Sequence, residues 1–138
     1  MKKILISCGI ILLGIFIIIE KKAYFLQKII FIKGNVELPK EFIQKLKPNS
    51  ILYITLRNDK GIIFGIKKII NPKAIMQFEI NHKNVLYPDL ITLNTEIQAH
   101  INTHGNVGEI REGDIYSDIV RSPIINPRLT IHADRIKN

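Results

Sequence analysis

The chain has 138 residues, is 46% apolar, and carries a formal charge of +8 with one cysteine and no tryptophan. That length supports one domain with its own core and excludes two, and a lone cysteine excludes an internal disulfide. Residues 1–33 hold +5 and residues 34–138 only +3, so the surplus does not form the long basic face that nucleic-acid binding needs.

The chain begins with Met1-Lys2-Lys3, then sixteen residues without a charge from Ile4 to Ile19, then Glu20-Lys21-Lys22. As a helix the run spans about 24 Å, and flanking lysines that snorkel extend it towards a hydrocarbon core of about 30 Å. The expectation is a membrane anchor over residues 1–28, with its transmembrane segment at about 4–19, followed by a β-domain over 29–138. Two other readings compete. A cleaved secretory signal would be cut after Ala23, yet Lys21 then stands where a small residue is wanted. A lipoprotein would use Leu5-Ile6-Ser7-Cys8, but its mature chain would begin with the apolar Gly9-Ile10-Ile11; the plainer role of Cys8 is a small apolar residue in a helix. Basic residues flank the run on both sides, so the positive-inside comparison does not settle orientation. A first apolar segment so near the start commonly exports the domain attached to it, which gives an outward-facing domain.

After the anchor the dominant period is two. Pro39 to Leu46 alone has helical spacing, enough for one or two turns. Ser50 to Arg57 is rich in β-branched and aromatic residues, and Asn58-Asp59-Lys60-Gly61 turns it back into Ile62 to Ile70, a hairpin with Gly61 able to take positive φ. The Lys67-Lys68 pair breaks strict alternation and marks an edge or a bulge. Ala74 to Ile80, Thr95 to Asn102 and Leu129 to Asp134 alternate in the same manner, the second placing Ile97, Ala99 and Ile101 on one face. Prolines 48, 72, 88, 123 and 127 fall between these runs. Six or seven strands make an all-β antiparallel sandwich.

No residue pattern asks for catalysis. His100 and His104 are four apart, but that spacing converges on one face only in a helix, and here a strand precedes a turn; a closed zinc site also needs more ligands. Glu112, Gly113, Asp114 and Asp118 lack the ligand density of a calcium loop and suit a solvated turn. No nucleophile has a recognisable context, and no glycine-rich phosphate loop is present. Gly34, Gly61, Gly105 and Gly113 supply turn conformations or close backbone approach, and Asp114 can accept backbone hydrogen bonds in a loop.

From Ile32 onward the order of features resembles the C-terminal domain of the cytochrome c-type biogenesis protein H family. The resemblance runs through Gly34-Asn35-Val36-Glu37-Leu38, Pro48, Ile51 to Ile54 leading to Arg57, Gly65-Ile66-Lys67-Lys68 and Phe78-Glu79-Ile80. It is tightest at Ala99 to Asn106 and Gly113-Asp114-Ile115. It implies an immunoglobulin-like domain on the periplasmic side of a bacterial inner membrane, which the apolar run of this chain would hold as a single-pass anchor. It also implies a non-enzymatic scaffold in c-type cytochrome maturation, contacting haem-ligation components or apocytochrome c, with no cofactor of its own. Family members carry a second transmembrane helix and a helical-repeat domain, both lacking here. An unrelated envelope module in a secretion or adhesion assembly would share the fold and topology.

Overall fold

The computed structural model describes residues 2–138, with the side chains of Lys2, Lys3, Leu5 and Glu20 outside that description. Helix α1 (Lys2–Ile29) is followed by β1 (Phe31–Glu37), the short α2 (Lys40–Ile43), β2 (Ile51–Arg57), β3 (Ile63–Ile70) and β4 (Ile75–Ile80). Single 3-10 turns at His82–Asn84 and Pro88–Leu90 lead into β5 (Asn94–Asn102), then β6 (Ile115–Tyr116), β7 (Val120–Pro123), β8 (Ile125–His132) and β9 (Arg135–Ile136). The chain is thus mostly β-sheet with a helix at its N-terminus.

The strands form two sheets. The smaller has the order β4-β1-β8; the larger has β3-β2-β5-β6-β9, with β7 also paired to β5. Their facing sides supply one core: Ile32, Val36, Phe78, Ile80 and Ile131 from the small sheet, and Leu52, Ile54, Leu56, Phe64, Ile97 and Ala99 from the large one. The period-two runs put these residues inward, and burying each large aliphatic side chain stabilises the fold by about 1.5–3 kcal/mol.

Among the described residues nine strands stand where six or seven are expected, and three further expectations change. The sheets are not wholly antiparallel, because β1 pairs with β8 in parallel. The chain crosses between sheets at Ile124, whose N–H donates to the Leu93 carbonyl and whose own carbonyl accepts from the Phe31 N–H, so β8 leaves that corner in the same direction as β1. Pro123 and Pro127 lie in strands, at the end of β7 and inside β8. Strand β8 is an edge, and its pairing with β1 shifts register between Ile32 and Gly34, so the missing amide of Pro127 breaks no regular ladder. Finally, α1 does not stop at the charged flank. It continues ten residues past Ile19, and its last turn enters the core through Leu26, with Ile30 just beyond it. Only Ile30 separates helix from strand.

Strand β3 is an edge of the large sheet, and its Lys67 and Lys68 stand opposite Ile54 and Tyr53 of β2.

Candidate functional site

Along β5 the apolar Ile97, Ala99 and Ile101 face the core, while Gln98, His100 and Asn102 alternate with them on the outer side of the sheet and are nonetheless buried. Buried polar groups need partners, and the segment 103–118 folds over that face to supply them. Gln98 Nε2 donates to the Ser117 carbonyl at 3.0 Å, and Ser117 Oγ accepts from the Ala99 N–H at 2.9 Å. Asn102 Oδ1 accepts from the Gly105 N–H at 3.0 Å while its Nδ2 donates to the Asn106 carbonyl at 3.3 Å.

Asp114 is the centre of this cover. Its Oδ2 accepts from His100 Nε2 at 2.8 Å, from His104 Nε2 at 2.9 Å and from the Arg111 N–H at 2.8 Å. Burial pushes the carboxyl pKa up, but the Arg111 N–H and the two histidine bonds outweigh it, and the net result lies below the usual carboxylate value. The four-residue spacing of His100 and His104 therefore does converge, contrary to the sequence argument. The chain leaves β5 at Asn102 and doubles back through Gly105, at φ +77°, so a turn residue reaches the same oxygen as a strand residue.

One ring nitrogen of each histidine and a carboxylate oxygen of Asp114 lie within 4.8 Å of one another, a set that could hold a metal ion. The surrounding hydrogen bonds oppose this. A metal-bound imidazole normally donates through its other nitrogen, whereas His104 Nδ1 accepts the Asn106 N–H at 3.1 Å. That donor leaves the His104 proton on Nε2, where it serves Asp114. The group is a hydrogen-bonded clasp around a carboxylate. No hydroxyl or thiol is bonded to either histidine among the described residues, so the arrangement offers no nucleophile.

The other candidates separate by role. Gly61, Gly105 and Gly113 have φ of +75°, +77° and +86°, and Gly61 closes the β2–β3 turn with its N–H on the Asn58 carbonyl. Gly34 is not in a turn. It sits inside β1, where an added Cβ would stand 1.9 Å from the Leu129 carbonyl oxygen, so its role is close approach to β8. Sequence reasoning did not single out Gly108, at φ +84° in the clasp segment; a glycine three residues after Gly105 was the available signal.

At the opposite extreme from the clasp is α1. Eleven large apolar side chains between Ile4 and Ile19 are 43–69% exposed, on every side of the helix. Tyr24 and Phe25 come next, also exposed, with Lys28 Nζ 4.4 Å above the Tyr24 ring. Among the described residues no helix is long and apolar enough to cross a membrane.

No family model and no curated protein matches the chain. Among solved structures it is similar to an alternative pilotin from the type II secretion system of Vibrio cholerae, at 12% identity and a TM-score of 0.51, covering 78% of this chain and 97% of that one. At that identity the likeness is one of fold.

Proposed function

We propose that this protein is a non-enzymatic docking module, an immunoglobulin-like sandwich held at a bacterial inner membrane by α1 and offered to protein partners on the periplasmic side. The observation that carries the proposal is the outward apolar surface of α1. Eleven side chains at about 1.5–3 kcal/mol each leave on the order of 20 kcal/mol of burial unrealised in water, and an apolar surface of that size marks a membrane or a partner. A helix that is apolar all round, with lysines and tyrosine at its end, suits a bilayer better than a protein groove, which would need only one face. The run is short for a full span, and thinning of the bilayer with snorkelling of the flanking lysines accommodates the mismatch.

Partners meet the sheet edges. Strand β4 presents a regular edge with Ile75, Gln77 and Glu79 outward and no lysine or proline guarding it, which suits addition of a partner strand. The likeness to a pilotin supports an envelope secretion assembly through fold alone. Accessory work in c-type cytochrome maturation is a narrower form of the same proposal and rests on the sequence resemblance.

Two measurements test it. Alkaline carbonate extraction should leave the full-length chain in the membrane pellet; its release to the supernatant would remove the anchor. Affinity capture of the tagged, detergent-solubilised chain, against the anchor alone, then separates the assemblies. Secretion components would favour the envelope module, and haem-ligation components or apocytochrome c would favour maturation.

A further inference from the structure

A cleft of about 530 Å³ opens where α1 meets the sandwich, a volume within the range of small-molecule sites. Its walls come from four places: Lys22 of α1, Asp59 of the β2–β3 turn, Leu93 and Asn94 at the start of β5, and Arg121 and Ser122 of β7. Lys22 lies three residues, about 4.5 Å along the helix axis, past the last residue of the apolar run. A bilayer holding residues 4–19 therefore sets this cleft at the level of the lipid headgroups.

The lining hydroxyl of Ser122 is already engaged, donating to the Pro123 carbonyl and accepting from Asn126 Nδ2. What remains for a ligand is the exposed side-chain amide of Asn94 and charge. Lys22 is exposed, and Arg121 holds only a loose contact, its Nε 3.7 Å from Glu96 Oε1. Among the lining residues these two cations share the cleft with one carboxylate, Asp59, also exposed, while Glu96 lies outside the lining beside Arg121. Leu93, 59% exposed, adds an apolar strip beside Lys22.

We propose that this cleft seats the headgroup of a phosphatidylethanolamine molecule, with the phosphate against Lys22 and Arg121, the primary ammonium towards Asp59, and the glycerol end along Leu93. The inference rests on α1 lying in a bilayer. A phosphate beside an ammonium is the complement of two cations beside a carboxylate, whereas an anionic headgroup leaves Asp59 without a counter-charge and a choline headgroup offers it no N–H to donate.

The test is native mass spectrometry of the full-length protein released from nanodiscs that contain phosphatidylethanolamine, phosphatidylglycerol and phosphatidylcholine in equal parts. The wild-type chain should retain phosphatidylethanolamine in preference to the other two. Lys22→Gln with Arg121→Gln should cut that retention by about tenfold, and Asp59→Asn should move the preference towards phosphatidylglycerol. All three side chains are exposed, and circular dichroism of each variant should match wild type. Equal retention of the three lipids, or undiminished retention in the double variant, overturns the assignment. Loss of the bound lipid on adding inorganic phosphate also overturns it, since the cleft would then be a site for the free ion. Carbonate extraction of the same proteins separates the two proposals: a chain that resists extraction but shows no lipid preference sinks the cleft alone, whereas a chain that is extracted sinks the anchor.

Discussion

Helix α1 and the two-sheet body are built from the same apolar residue types, isoleucine above all, and handle them in opposite ways. In the sheets every second residue points inward and finds a facing sheet, so Ile32, Ile54, Ile80, Ile97 and Ile131 are buried. Between Ile4 and Ile19 there is no polar face to turn outward, and the structure covers none of the large side chains described there. Composition treats the two regions alike. Period distinguishes them: a period of two with polar partners specifies a core, and an unbroken run specifies a surface that something outside the chain must cover.

The sharpest way to break this contrast is to put charge into the helix. Ile11→Lys with Phe16→Lys should cost roughly 5–7 kcal/mol of insertion, moving the protein from the carbonate-resistant pellet to the supernatant while the melting transition of the sandwich stays in place. Gly34→Ala attacks the other region. A methyl group 1.9 Å from the Leu129 oxygen forces β1 and β8 apart, and denaturant unfolding should show a loss of at least about 3 kcal/mol. If Gly34→Ala melts like wild type, the parallel pairing is not needed for stability.

The clasp gives smaller effects. Asp114→Ala leaves the buried His100 N–H and the Arg111 N–H without their acceptor, so unfolding free energy should fall by about 3 kcal/mol. Because the folded pKa of Asp114 is depressed, its contribution is fully present above the unfolded value of about 3.9 and drains away as pH falls through the lower folded value. Thermal melts of wild type and Asp114→Asn should therefore converge on acidification and stand furthest apart at neutral pH. Least of all should zinc matter. Excess zinc should shift the melting temperature by no more than about one degree, and a larger rise would show that His104 gives up its Asn106 contact to bind metal.

The sheet strands are legible wherever alternation runs for six residues or more, which is why β2, β3, β4 and β5 fall within a residue or two of their expected bounds. The two-residue β6 and β9 carry no period and exist because a longer strand lies beside them. Strand β8 begins four residues ahead of its expected start, since Pro127 reads as a break until an edge position and a register shift are known. Charges at residues 20–22 read as the end of the anchor, yet they interrupt a hydrophobic run and not a helix; Leu26 and Ile30, at i and i+4, mark a second apolar face. The clasp is hidden because its parts lie on a strand and on the loop that covers it. The polar alternation of Gln98, His100 and Asn102 is visible, but nothing in the spacing says that residues 103–118 fold back over that face.

One residue, Ile30, joins helix to sheet, and it is itself in the core. A domain on a flexible tether sweeps a volume set by its linker and presents all its sides in turn. This one is geared to its helix, because Leu26 and Ile30 pack the end of α1 into the core and leave no free linker before β1. If α1 lies in a bilayer as proposed, neighbours meet the sheets as a surface of fixed height and heading, and freeing that bearing takes both a flexible insertion after Ile30 and removal of the Leu26 and Ile30 side chains from the core.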